Sequence, residues 1–247
     1  MSTIIKSALK AALERAGYQI VQMPAWSIRK PIESNHGYRI VKWKASEGNV
    51  DIVGYQTEQE KGNRAKIDQI WASEANLKYL CQWLKTHQMK PNFVVCHGTR
   101  NGFEQRVFAD SFGCQVIGTE ISSTAVEYPM TVQADFHDLR PEWEGKVDVV
   151  YSNSLDHAYD PEKALRAWSQ TVKDGGVIVL DKASDSDPHA ISDLDPFGIR
   201  LPEMLHFVLE KLGSSVSVRA LLPVPEPKAG TSYHKLIILK IDRRNAI

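Results

Sequence analysis

The sequence lacks an excess of charge of either sign. Its 247 residues include 30 lysines and arginines against 30 aspartates and glutamates. Dedicated nucleic-acid binders usually carry a basic excess, so this balance argues against a nucleic-acid partner. No apolar run approaches the ~18 residues of a membrane span. Residues 1–17 lack the continuous apolar core of a signal peptide. We therefore expect no membrane partner and a cytoplasmic location.

Cysteine is also scarce. The three cysteines, Cys81, Cys96 and Cys114, form no CxxC pair and have no histidine at metal-ligand spacing. This pattern argues against a disulfide framework or a zinc site and fits a reducing compartment. An apolar content of 43% indicates a globular core. The length fits an N-terminal α+β extension over residues 1–62 and one α/β domain over 63–247, in which residues 63–90 form the leading helix.

The N-terminal third shows mixed patterns. Apolar spacing predicts a helix that ends near Gly17, and short extended segments are expected at 18–23, 38–45 and 50–55, with a turn at 47–49. A longer apolar stripe predicts one amphipathic helix from Asn63 to about His87, which Pro91 ends.

Strands and helices alternate after Pro91. We expect strands at 93–96, 115–119, 131–134, 147–151 and 177–180, and helices at 103–112, from 161 and from about 202 to 213. A turn is expected at 173–176 and a long polar loop at 181–200. The last two strands, 216–222 and 235–241, are joined without a helix, so they should be antiparallel. The fold class is therefore α/β, a Rossmann-like and mostly parallel sheet with a C-terminal antiparallel hairpin.

The first of these strands runs into a turn that contains Gly98 and Gly102, and the second strand ends on Glu120. A glycine turn lets backbone N–H groups approach a ligand, and an acid at the next strand end can accept hydrogen bonds from ribose hydroxyls. This pair of features indicates a site for a nucleoside cofactor.

Residues 91–241 resemble the class I S-adenosylmethionine-dependent methyltransferases, in their small-molecule, methyltransferase-domain-11-like branch. The resemblance rests on the run from Cys96 to Gly102, on Glu120, on Asp135, on the block 147–165 and on the final hairpin. The sequence departs from the family pattern at two positions of the first motif. Cys96 stands where the family has an acid, and Arg100 stands where it has a glycine.

The resemblance implies S-adenosylmethionine as the cofactor. It implies that Glu120 binds ribose hydroxyls and that Asp135 with Phe136 binds adenine. The full set of implied cofactor-binding residues is His97, Gly98, Thr99, Arg100, Gly102, Glu120, Ile121, Asp135, Phe136, Asn153 and Ser154. The missing acid removes one expected partner of the methionine amino group. Arg100 either compensates by pairing with the methionine carboxylate or faces solvent or Glu104.

His157 is the candidate for a catalytic base, because imidazole titrates near neutrality. Asp156 is a second catalytic candidate and His189 an alternate. The polar loop carries four acids, Asp185, Asp187, Asp193 and Asp195, which either bind a polyol or a cation or form a solvated surface. We expect no metal; a magnesium site of Asp156, Asp181 and Asp185 is the weaker alternative.

These observations predict a methyltransferase that acts on a hydroxyl of a small or sugar-containing acceptor. A homo-oligomer is compatible with the sequence. One alternative is a non-catalytic S-adenosylmethionine-binding protein, which the departures at Cys96 and Arg100 would suit. Another is a dinucleotide-dependent oxidoreductase, which the turn disfavours because its spacing is not Gly-x-Gly-x-x-Gly. A nucleic-acid methyltransferase is weaker still, because no Asn-Pro-Pro-aromatic motif follows the fourth strand.

Overall fold

The computed structural model of this protein describes residues 30–35, 37–44 and 49–243. The predicted helix before Gly17, the extended segment 18–23 and residues 47–48 of the predicted turn lie outside the described residues. No helix among the described residues is long and apolar enough to cross a membrane.

A seven-stranded sheet forms the centre of the fold. Five of its strands are parallel; four of them match their predicted bounds closely, and the fifth, predicted at 177–180, is longer at both ends. They are β3 (Phe93–His97), β4 (Gln115–Glu120), β5 (Thr131–Gln133), β6 (Val147–Ser152) and β7 (Val172–Ala183). The expected antiparallel hairpin consists of β9 (Val216–Pro223) and β10 (His234–Ile241). The strand order is β5-β4-β3-β6-β7-β10-β9, which confirms the Rossmann-like fold class.

Helices cover both faces of this sheet because its strands are apolar on both sides. One face, with Cys96 and Tyr151 among its residues, packs against α2 (Glu74–Thr86) and α3 (Phe103–Phe112). The opposite face, which includes Val95 and Val150, packs against α4 (Pro161–Thr171) and α5 (Leu201–Leu212). Near-continuous apolar strands are typical of a parallel sheet buried on both faces.

The long helix predicted from Asn63 to His87 is wrong in its first half. The chain instead forms α1 (Ile52–Ala65), an irregular segment at 66–73, and then α2. Ser73 begins α2 as its N-cap and accepts a hydrogen bond from the Asn76 amide. The extended segment predicted at 50–55 is also wrong, because Asp51 caps α1 by accepting from the Gly54 amide.

The loop predicted at 181–200 contains a strand. β1 (Ile32–Asn35), β2 (Tyr38–Val41) and β8 (Phe197–Ile199) form a second, antiparallel sheet in the order β1-β2-β8. A three-residue strand has no periodicity that its sequence could display, so only its pairing with β2 defines it. This pairing joins β1 and β2 to the segment that follows β7.

Two further predictions concern the turn before the fifth parallel strand and the division between the N-terminal extension and the α/β domain. The turn predicted at 173–176 is a bulge within β7, where the register with β6 shifts between Val147 and Val149. The division at residue 62 stays a prediction, and it falls inside α1.

Candidate active site

The turn after β3 has a backbone that suits glycine. Gly98 and Gly102 have φ values of 72° and 74°, in the left-handed region. The amides of Gly98 and Thr99 both donate to the Thr119 carbonyl, at 2.9 and 3.2 Å, and fasten the turn to β4. A Cβ on Gly98 would lie 2.6 Å from the Cβ of Ser154. Neither the backbone angle nor the space at position 98 therefore accommodates a side chain.

Two cavities meet at this turn, beside the carboxyl ends of the parallel strands, where open α/β sheets bind ligands. The larger has a volume of about 260 Å³ and the smaller of about 50 Å³. Both are lined by Gly98, Arg100, Ser154 and His157. The larger also includes the predicted residues Thr99, Asn153 and Asp156, and the smaller includes Glu120, Ile121, Asp135 and Phe136. The structure thus brings most of the predicted residues together around one turn.

Glu120 connects the smaller cavity to the turn. Its carboxylate accepts hydrogen bonds from the amides of Arg100 at 3.1 Å and Ser122 at 2.9 Å. The residue is 7% exposed, and burial raises the pKa of its carboxyl group. Each carboxylate oxygen has two lone pairs, so Glu120 can still accept hydrogen bonds from a ligand.

Asp135 and Phe136 form another wall of the smaller cavity. The Asp135 carboxylate accepts a hydrogen bond from the His137 amide at 2.9 Å. Burial acts to raise the pKa of Asp135, but its hydrogen bonds and charge interaction with His137 outweigh burial and lower the pKa. Phe136 packs edge-on against Trp168, with ring centroids 5.5 Å apart. The wall therefore combines a fixed carboxylate with an aromatic ring.

Asn153 and Ser154 follow β6 and hold the turn from the other side. The Ser154 hydroxyl donates to the Gly98 carbonyl at 3.1 Å. The Asn153 side-chain amide donates to Oε1 of Glu104 at 3.3 Å. Both residues line the larger cavity, as expected from their place after β6.

Glu104 lines the larger cavity as well, and the sequence analysis gave it no role in the site. It is 6% exposed, and its Oε2 accepts no hydrogen bond from any of the residues that the structure describes. Burial raises the pKa of this carboxyl group to about 7. Its position on the same helix face as Val107 and Phe108 is the signal that an amphipathic reading of α3 could have used.

His157 lies between the two cavities, and its Nδ1 faces oxygen atoms. Nδ1 is 3.1 Å from Oε1 of Gln59 and 3.0 Å from the carbonyl oxygen of Leu194. The Gln59 amide nitrogen donates to the same Leu194 carbonyl at 2.7 Å, which orients Oε1 towards the histidine. Since these oxygens only accept, the neutral ring carries its proton on Nδ1 and keeps its lone pair on Nε2.

The carboxylates near His157 differ in their hydrogen-bond partners. Oδ1 of Asp156 is buried and has no hydrogen-bond partner among the described residues, and burial raises its pKa. Donor atoms of Asp156, His157 and Asp195 all lie within 4.8 Å of one another. Asp181 and Asp185, the other two members of the weaker magnesium alternative, are not in this group; Asp181 binds Tyr151 and His234, and Asp185 pairs with Lys228.

The segment between α1 and α2 forms a wall that the sequence analysis missed. Lys66, Gln69, Ile70 and Trp71 line the larger cavity. Arg100 donates to the Gln69 carbonyl at 3.3 Å and lies 5.8 Å from the Trp71 ring centroid. Arg100 is partly buried and makes no ion pair with Glu104 within the described ranges. Its pairing with the methionine carboxylate stays a prediction.

Several predicted residues lie outside the cavities. His97 stacks on Trp168 at 4.9 Å and contacts Thr119 Oγ1 at 2.8 Å, and burial lowers the pKa of this histidine to about 3. Gly102 begins α3 without lining either cavity. His189 is exposed and Asp193 is buried, and neither lines a cavity.

The fold is similar to that of several solved methyltransferases. The 1,6-didemethyltoxoflavin-N1-methyltransferase of Burkholderia thailandensis, solved with 1,6-didemethyltoxoflavin and S-adenosylhomocysteine, is 16% identical with a TM-score of 0.60, covering 86% of this chain and 99% of that one. The N-methyltransferase NodS of Bradyrhizobium japonicum, solved with S-adenosylhomocysteine, is 10% identical with a TM-score of 0.55, covering 74% and 98%.

A third similar structure is the geranyl diphosphate C-methyltransferase of Streptomyces coelicolor, solved with Mg²⁺, geranyl diphosphate and S-adenosylhomocysteine. It is 13% identical with a TM-score of 0.52, covering 76% of this chain and 98% of that one. No curated protein matches the sequence.

The family match and the fold support a class I S-adenosylmethionine-dependent methyltransferase. Residues 95–180 match the methyltransferase domain family, and this segment carries the glycine turn, Glu120, Asp135 and His157. The enzyme's cofactor is S-adenosylmethionine.

Proposed function

We propose that this methyltransferase acts on a hydroxyl group of a small or sugar-containing molecule, with His157 as the general base. The observation that carries the proposal is the contact of His157 Nδ1 with the oxygens of Gln59 and Leu194. These contacts direct the Nδ1 proton towards Gln59 and Leu194 and leave Nε2 as the nitrogen that can accept a proton, in a residue that lines both cavities.

The cofactor's adenosine end is assigned to the smaller cavity. Glu120 would accept hydrogen bonds from ribose hydroxyls, and Asp135 with Phe136 would bind the adenine. This assignment is supported by the position of these side chains on one cavity wall and by the fixed geometry of both carboxylates. The larger cavity would then hold the methionine end and the acceptor.

S-adenosylmethionine supplies a methyl group that its positive sulfur already activates. A hydroxyl oxygen that takes this methyl group must lose its proton. Nε2 of His157 would accept that proton. A positioned base of this kind typically contributes ~10²- to 10⁴-fold to the rate.

The wall of the larger cavity supports a polar acceptor. Asp156, Asp187 and Asp195 line it, and Asp156 has an oxygen without a hydrogen-bond partner among the described residues. Carboxylates accept hydrogen bonds from hydroxyl groups, so this wall suits a molecule with several of them. Two of the solved structures named above contain small organic molecules, 1,6-didemethyltoxoflavin and geranyl diphosphate, which favours an acceptor of that size.

The test uses S-adenosylmethionine with a labelled methyl group and a panel of sugars, nucleosides, phenols and small amines. We expect a hydroxyl compound to accept the label, and His157→Asn to lower kcat by roughly 10²- to 10⁴-fold. The affinity for S-adenosylhomocysteine, measured by calorimetry, should stay unchanged. His206→Asn is the matched control, because its side chain is 81% exposed on α5.

Two results would refute the proposal. One is transfer to amines or carbon nucleophiles with none to hydroxyl compounds. The other is a His157→Asn enzyme with the kcat of the unmodified protein.

A further inference from the structure

We propose that Glu104 binds the ammonium group at the methionine end of the cofactor, in place of the acid that is absent at Cys96. The proposal rests on S-adenosylmethionine as the cofactor and is independent of the hydroxyl acceptor and of His157. It begins from Oε2 of Glu104, a buried carboxylate oxygen with no hydrogen-bond partner among the described residues.

An isolated buried carboxylate is unfavourable, because burial removes water from a charge. Such a group is retained where a ligand supplies the missing partner. Glu104 lies in the first turn of α3, where the helix dipole favours a negative charge. Asn153 satisfies only Oε1, so one oxygen remains for a donor from the cavity.

The other acids of the larger cavity have different partners. Asp181 accepts from Tyr151, Asp185 pairs with Lys228, Asp187 accepts from Tyr233, and Asp195 accepts from Ser192. Asp156 also has an oxygen without a partner within the described ranges, but it is next to the proposed base His157. Glu104 is therefore the acid on the side of the glycine turn that can receive a cation.

The position of Glu104 explains the substitution at Cys96. Both side chains are buried, and the Cys96 pKa is raised first by burial and then by the nearby Glu104 charge. An acid at position 96 would reach the site from the end region of β3, whereas Glu104 reaches it from α3. Two carboxylates here would repel each other, so one replaces the other.

The larger cavity also matches the chemistry of the ligand. Glu120 and Asp135 line only the smaller cavity, where the adenosine end is assigned, and Glu104 lines only the larger one. The two cavities share Gly98 and Arg100, which belong to the same turn. A ligand that spans both cavities would therefore bring its opposite end to Glu104. In S-adenosylmethionine that end carries an ammonium group.

The test compares two ligands that share the adenosine part. S-adenosylhomocysteine ends in an ammonium and a carboxylate, whereas 5′-methylthioadenosine has neither. By calorimetry near pH 8, Glu104→Gln should weaken S-adenosylhomocysteine binding by roughly 10- to 100-fold, the range expected for a charged hydrogen bond. The affinity for 5′-methylthioadenosine should change by less than about twofold.

Glu58→Gln is the matched control, since Glu58 is a buried glutamate, 9% exposed, that lines neither cavity. It should leave both affinities unchanged. Equal weakening of both ligands by Glu104→Gln would make Glu104 a structural residue and overturn the proposal, as would unchanged affinity for both. Failure of the unmodified protein to bind either ligand would overturn the cofactor assignment itself.

A second measurement needs no variant. An ammonium beside Glu104 favours the ionised carboxylate, so binding of S-adenosylhomocysteine near pH 7 should release protons. Calorimetry in two buffers of different ionisation enthalpy measures this release. The groups that face Glu104 are Cys96 on β3, Arg100 in the turn, Tyr151 on β6 and Asp181 on β7. Equal proton release with 5′-methylthioadenosine, or none with either ligand, would contradict the proposal.

Discussion

Gly98→Ala tests whether the glycine turn is fixed by its contact with Ser154. The new Cβ would lie 2.6 Å from Ser154 Cβ and 2.7 Å from its Oγ. The Oγ can rotate about the Cα–Cβ bond, but the position of Cβ is fixed by the backbone, so the overlap with Cβ remains. We expect about 1–2 kcal/mol of destabilisation from the left-handed φ of an alanine and about 1–3 kcal/mol more from the overlap.

Gly113→Ala is the matched control for the backbone contribution. Gly113 also has a positive φ, of 61°, but a Cβ there would have nothing within 4 Å. Urea unfolding should therefore show a loss of about 1–2 kcal/mol for Gly113→Ala and a clearly larger loss for Gly98→Ala. Gly98→Ala should also weaken S-adenosylhomocysteine binding, because Gly98 lines both cavities.

The contact itself is tested by adding Ser154→Gly, which removes both overlapping atoms. The double variant should recover part of the stability lost in Gly98→Ala, with a coupling free energy of about 1–3 kcal/mol. The reasoning is wrong if Gly98→Ala costs no more than Gly113→Ala, or if Ser154→Gly gives no relief.

Two further predictions concern the buried carboxylates. Glu120→Gln should weaken S-adenosylhomocysteine and 5′-methylthioadenosine alike, by about 1–3 kcal/mol in calorimetry, because both ligands carry the ribose; an effect on only one of them would contradict the ribose assignment. Burial raises the Glu104 pKa from 4.5 to about 7, so between these values the folded chain binds more protons than the unfolded chain. The contribution of Glu104 to the free energy of unfolding should therefore fall as pH rises through that window, by roughly 3 kcal/mol. Urea unfolding of the unmodified protein and of Glu104→Gln at several pH values isolates this contribution, because both proteins share the other titrating groups, such as His97; a difference between them that stays constant with pH would refute it.

The sheet could be predicted from the sequence because its signals are local. The strands from Phe93 to Ser152 are short apolar runs bounded by turns, and Asp160 with Pro161 marks the start of α4. The same holds for the residues at the strand ends, since Glu120 and Asp135 follow directly from the strand positions. The residues at the carboxyl edge of a parallel sheet can therefore be predicted without knowledge of distant contacts.

The rest of the site depends on contacts between distant parts of the chain. Gln59 meets His157 across 98 residues, and Arg100 meets Gln69 across the break between α1 and α2. The short strand β8 exists only because β2 pairs with it. Glu104 is different again: its spacing with Val107 and Phe108 predicts a buried position, but only the structure shows that this position borders the larger cavity.

The orientation of His157 has a consequence for how this enzyme can be divided. Two side chains of α1 hold the residue, Gln59 at the imidazole ring and Tyr55, whose hydroxyl donates to the His157 carbonyl at 2.8 Å. A chain that began at residue 63 would keep every strand of the large sheet and would lose both of these contacts. The strands of the large sheet and the contacts that orient His157 therefore come from different lengths of this chain.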